Sequence, residues 1–132
     1  MLRDCHVVVA FSRQPSVADF VKTILEEAGY EAIACWSTVD DLERAVSDCN
    51  PCAIVYEVGF PLAAELEQLR EVSLRRGLAG IPVVIATPAP AALYQRCGLT
   101  RALEIFTRPS KLDVGTALQA SISAHKISSD AA

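Results

Sequence analysis

The chain has 132 residues, of which 52% are hydrophobic and 21% charged; this fits one globular domain and excludes both a disordered segment and two domains of ordinary size. A formal net charge of −4 with no run of Lys or Arg argues against a nucleic-acid partner, because phosphate binding requires a concentrated basic face. No apolar stretch approaches the roughly 20 residues that cross a bilayer, and Asp4 followed at once by strand-like residues does not fit a signal peptide, so neither membrane insertion nor a leader is expected.

Residues 5–11 (CHVVVAF) form a continuous apolar, β-branched run, the pattern of a strand covered on both faces. Over 16–28, Val17, Phe20, Val21, Ile24, Leu25 and Ala28 recur at helical spacing with Lys22, Glu26 and Glu27 opposite. Gly29 is placed to stop that helix. A short strand is predicted over 31–35, then a helix over 39–48 capped by Ser37 or Thr38. Pro51 ends the connection, and 53–56 (AIVY) is a third buried strand. A helix over 62–76 turns Leu66, Leu69 and Val72 inward, with Gly77 and Gly80 around its exit. The run 82–86 (PVVIA) is a fourth strand, 91–97 a short helix and 104–107 a fifth strand. Ser110 caps a final helix to about residue 126, with Asp113 favourably placed in its first turn. The domain thus spans 1–126, and 127–132 is expected to be a short frayed tail.

Five strand–helix alternations with fully apolar strands imply a parallel sheet with helices on both faces. Among such topologies the flavodoxin-like (βα)5 order 2-1-3-4-5 is the expected one, and it gathers functional residues at the carboxyl ends of strands 1, 3, 4 and 5.

At those ends the sequence resembles the receiver domain of two-component response regulators, over nearly the whole chain. The stretch Ala53-Ile54-Val55-Tyr56-Glu57 with Pro61 four residues on is similar to the family's apolar strand, phosphoacceptor aspartate and following proline. Glu57 stands in the aspartate's place. Residues 82–87 resemble the fourth strand with its terminal Ser/Thr, here Thr87, and Phe106-Thr107-Arg108-Pro109 resembles the fifth strand and its Lys-Pro, with Arg108 for the lysine. Aligned back from Pro15, the family's two adjacent metal-binding acids fall on Ser12 and Arg13, and its switching aromatic falls on Ile105.

The departures from the family point to a receiver without phosphotransfer. Magnesium is held by carboxylates and waters, and a serine with a cation removes the charge that would hold it. Glu57 is one methylene longer than aspartate, which displaces its carboxylate in a reaction that depends on positioning and metal neutralisation. No magnesium and no other cofactor are therefore expected. A carboxylate in a strand-end pocket needs a partner, and arginine can supply two hydrogen bonds, so Glu57 is expected to contact Arg13 or Arg108; the alternative is a solvated loop carboxylate. Two prolines in Thr87-Pro88-Ala89-Pro90 restrict a loop that rearranges in receivers.

Other motifs weigh less. Five cysteines at 5, 35, 49, 52 and 97 are an odd number, and those in apolar runs behave as small hydrophobes, so a reducing cytoplasm is expected. Cys49-Asn50-Pro51-Cys52 resembles a redox motif but follows a helix and leads into a strand, the reverse of the thioredoxin context. Cys5-His6 lacks the further ligands a structural zinc requires, and no Gly-rich phosphate loop or nucleophile elbow is present. Trp36 is expected in an exposed loop after strand 2.

Receivers commonly bind partners through helix 4, strand 5 and helix 5, which the resemblance maps here to Leu93, Tyr94, Arg96, Leu99 and outward residues of the last helix such as Gln119. Leu93 and Tyr94 diverge by about 100° on a helix and cannot both face inward. The resulting expectation is a cytoplasmic, non-enzymatic pseudo-receiver that acts as an adaptor or regulator on a protein partner; the same surface allows a homodimer. The alternatives are a receiver-like domain that binds a small ligand or nucleotide in its strand-end pocket, and residual phosphorylation at Ser12 or Thr87.

Overall fold

The computed structural model describes residues 7–97, 103–104 and 111–131. Within them the chain alternates β1 (Val7–Ser12), α1 (Pro15–Glu27), β2 (Glu31–Trp36), α2 (Val39–Cys49), β3 (Ala53–Glu57), α3 (Leu62–Leu74), a 3₁₀ turn (Arg76–Leu78), β4 (Val83–Thr87), α4 (Pro90–Cys97), β5 (Leu103–Glu104) and α5 (Lys111–Ala131). The strands form a parallel sheet in the order β2-β1-β3-β4-β5, as the alternation predicts. Residues 5 and 6, and 105–107 of the expected fifth strand, lie outside the described residues, as does Ser110, the expected cap. The last helix runs on to Ala131, so 127–131 is helical where a frayed tail was expected.

Successive strand residues feed opposite cores because a strand's side chains alternate. Val8 and Ala10 join Val55, Ala86, Val21, Leu25, Val114 and Leu118 beneath α1 and α5. Val9 and Phe11 join Ile54, Tyr56, Leu42, Val46, Val72 and Leu93 beneath α2, α3 and α4. Helix boundaries follow local chemistry. Pro15 opens α1, and Gly29 at φ +99 takes the left-handed turn after it. Thr38 caps α2 in a reciprocal box, its hydroxyl accepting from Asp41 N at 3.1 Å while the Asp41 carboxylate accepts from Thr38 N. Arg75 fastens α3 to α2, donating to Asp40 at 2.7 Å, Glu43 at 3.0 Å and Glu71 at 2.5 Å.

Among the described residues no helix is long and apolar enough to cross a membrane. Cys35 and Cys49 are free thiols, whereas Cys52 is disulfide-bonded. Cys52 therefore departs from the expectation of reduced cysteines, and its partner lies outside the residues whose side chains are described. Burial pushes the Cys49 thiol up and the Cys35 thiol to about 11, the opposite of a reactive thiolate.

Candidate functional site

Parallel pairing brings the carboxyl ends of all the strands to one edge. Ser12 pairs in register with Trp36, Glu57 with Ala86, and Thr87 with Glu104. Each strand carries one polar or exposed residue beyond its apolar run, so Ser12, Glu57 and Thr87 are held by the ladder and not by a loop. All three are buried, with Glu57 only 6% exposed, and the solvated-carboxylate alternative does not apply.

Ser12 and Glu57 meet directly. The Ser12 hydroxyl donates to Glu57 Oε1 at 2.9 Å and accepts from the Gln14 N–H at 3.1 Å, so its one proton and a lone pair are both committed. Burial raises the Glu57 carboxyl above the usual carboxylate range; the Ser12 hydrogen bond opposes that and the nearby charge of Glu65 adds to it. The other oxygen, Oε2, lies over Gly59, where an added Cβ would stand 2.6 Å from it.

Arg13 does not take the partner expected for it. Its Nη1 lies 3.1 Å from Glu65 Oε2, and Glu65 Oε1 accepts from the Gly59 N–H at 2.9 Å. Glu65 is 3% exposed and sits in the first turn of α3, where a carboxylate suits the helix dipole. Arg13 remains half-exposed while it pairs with this buried carboxylate. Arg108 and Ile105 lie outside the described residues.

A second chain of bonds braces the same edge. Tyr56 Oη donates to Gln68 Oε1 at 3.0 Å, and Gln68 Nε2 donates to the Ser37 carbonyl at 3.3 Å. Tyr56 also stacks on Phe11, centroids 5.0 Å apart; burial first, then Glu65, raises its hydroxyl. Thr87 turns its Oγ1 to the Ala89 N–H at 3.2 Å, closing the proline loop on itself. Glu65, Gly59, Tyr56 and Gln68 were not singled out from the sequence. Glu65 had a signal: it shares the inward stripe of Leu69 and Val72 at i+4 and i+7, where an acid is out of place.

Magnesium, which the resemblance to receivers would imply, does not fit these residues. Its carboxylate positions hold a hydroxyl already bonded to Glu57 and a guanidinium paired with Glu65. Among the described residues no cluster of three His, Cys, Asp or Glu could hold a metal ion. A concavity of about 660 Å³ opens along the outer face of α3, lined by Arg13, Gln68, Arg70, Glu71 and Leu74 among others; it is a shallow surface feature apart from the buried Ser12–Glu57 pair.

Of the expected interface residues, Leu93 is fully buried and packs in the second core, which corrects its assignment to the surface. Tyr94 is exposed, as the divergence of adjacent helical residues requires, and Arg96 and Gln119 are exposed too. Leu99 lies outside the described residues. Trp36 ends β2 instead of lying in a loop, and is half-exposed.

A five-stranded parallel sheet in this order, covered by helices on both faces, defines a flavodoxin-like α/β domain. More narrowly, the fold is that of response regulator receiver domains. A chemotaxis protein CheY4 from Vibrio cholerae superposes with a TM-score of 0.60 at 18% identity, covering 89% of this chain and 99% of its own. A response regulator receiver domain from Clostridium thermocellum gives 0.60 at 17%, covering 92% and 98%. A sensor protein from Polaromonas sp. JS666 gives 0.69 at 12%, covering 91% and 98%. At these identities the likeness is one of fold. No protein-family model and no curated protein matches the sequence.

Proposed function

We propose that the chain is a receiver-like signalling module that neither accepts a phosphoryl group nor catalyses a reaction, and that works in the cytoplasm by binding a protein partner as an adaptor or regulator. The observation that carries this reading is the buried Ser12–Glu57 hydrogen bond, with Arg13 committed to Glu65. Phosphoryl transfer relies on a positioned acceptor and a metal that neutralises developing charge; here the acceptor position is a longer side chain already bonded, and the metal position carries a serine and a cation. The hydroxyls of Ser12 and Thr87 are buried and engaged, which speaks against either as a substitute acceptor. The filled strand end likewise favours the adaptor over the ligand-binding alternative.

The test has two arms. Incubation with acetyl phosphate and magnesium, followed by intact-mass measurement, is expected to leave the mass unchanged; a stable phosphoryl adduct would overturn the reading. Affinity capture from source cells with native protein is expected to enrich a specific protein that a Tyr94→Ala, Arg96→Ala variant does not. Capture of nothing specific by folded protein would return the small-ligand alternative. The Cys52 disulfide is the observation that weighs against a reducing compartment, and thiol alkylation in freshly lysed cells decides it: Cys52 labelled before any reductant is added supports the cytoplasm.

A further inference from the structure

We propose that Glu57 works as a proton-operated latch on the loop between β3 and α3, closed when its carboxyl carries a proton and loosened when it ionises. This goes beyond the adaptor reading and stands or falls separately from it.

Few of the described residues can stabilise charge there. Among the described residues, the groups shown to act on the Glu57 carboxyl are Ser12 at the end of β1 and Glu65 on α3, and Tyr56 beside it on β3 feels its charge. Arg108 and Lys111 follow β5, and their side chains are outside those described. Ser12 gives one neutral hydrogen bond. Arg13, the described cation, pairs with Glu65 and not with Glu57. Glu65 adds a second carboxylate from the first turn of α3, and that carboxylate holds the Gly59 N–H of the loop. Gly59 in turn lies directly against Glu57 Oε2. An ionised Glu57 is therefore a desolvated charge pressed against the turn that its acidic neighbour anchors. Its relief is outward, through residues 58–61, which carry the exposed Phe60. A neutral Glu57 has no such drive and leaves the Gly59–Glu65 bond intact.

The consequence for stability has a definite sign. The folded chain holds this proton more tightly than the unfolded chain, so the stabilisation is fully present below the ordinary carboxylate range. It is lost as pH rises through the raised folded value.

The experiment is a carboxyl ¹³C NMR titration of the full chain, with amide exchange of Gly59 and Phe60 followed over the same pH range in EDTA. Glu57 is expected to titrate above the other carboxylates, with Gly59 protection falling several-fold on the same curve. Ser12→Ala should raise that midpoint by removing the bond to the ionised form, while Glu65→Gln should lower it by removing the neighbouring charge. In Glu57→Gln the protection of Gly59 should no longer change with pH. A Glu57 midpoint within or below the ordinary carboxylate range overturns the proposal, and would be the mark of a cation such as Arg108 reaching it. Gly59 protection that ignores the Glu57 titration also overturns it, as does a pH response that persists in Glu57→Gln. Mutating Glu57 to Gln keeps the size and the acceptor for Ser12, so loss of fold does not confound the result.

Discussion

A methyl group at Gly59 would meet Glu57 Oε2 at 2.6 Å, whereas one at Gly80 would meet nothing within 4 Å. Neither glycine has the left-handed φ that Gly29 shows, so a difference between the two alanine variants reports space and not backbone strain. Gly59→Ala should cost about 1–3 kcal/mol, the usual penalty of overpacking, with Gly80→Ala within about 0.5 kcal/mol of the parent. Adding Glu57→Ala to Gly59→Ala should recover part of the loss, because the clash needs both partners and so the two changes are coupled. Urea denaturation of the parent, Gly80→Ala, Gly59→Ala, Glu57→Ala and the double variant measures this. Additive losses would mean that Glu57 does not lie over Gly59.

At the scale of elements, the alternation of apolar runs was enough to locate the strands and helices, since both sheet faces are covered and apolar runs mark burial. The ends of the strands were not legible in the same way. Phe11, Cys35, Tyr56 and Ala86 close the apolar runs, yet Ser12, Trp36, Glu57 and Thr87 each continue the strand by one residue. Ladder hydrogen bonds use the backbone and are indifferent to side-chain polarity, and those added residues are the ones that build the site. The Ser12–Glu57 contact was within reach of the resemblance, which set both at the same sheet edge. The choice of Arg13 between two acids was not, because Glu65 reaches that edge from the first turn of α3, an element the resemblance did not bring to it. The same limit applies to α4, where periodicity shows that Leu93 and Tyr94 diverge but not which one points inward. Since it is Leu93 that is buried, Leu93→Ala should cost about 2–5 kcal/mol as a core cavity, while Tyr94→Ala should stay within about 0.5 kcal/mol. Thermal melting of the two variants checks this. Equal, small losses would put Leu93 at the surface after all, and until then a partner lost on Leu93→Ala reports misfolding as readily as a contact.

For the molecule as a whole, the sheet's central strands serve two cores at once, and at the strand edge the described side chains of Ser12 and Glu57 close on each other. That closure predicts an indifference measurable without knowing the partner. A cation that binds the folded state and not the unfolded one raises stability by mass action, about 2.7 kcal/mol when present at roughly 100 times its Kd. For a chain of this length such a gain is a rise of several degrees in melting temperature. Melting in millimolar magnesium should match melting in EDTA at equal ionic strength. The comparison has a built-in positive control in Ser12→Asp, Arg13→Asp, which restores a carboxylate pair beside Glu57 and exchanges the Arg13–Glu65 attraction for repulsion. This variant should melt lower in EDTA and regain stability as magnesium is added, because only a cation can then compensate four neighbouring carboxylates. If the native chain responds to magnesium as the double variant does, Ser12 and Arg13 do not exclude the ion and the phosphorylation-independent reading loses its main support.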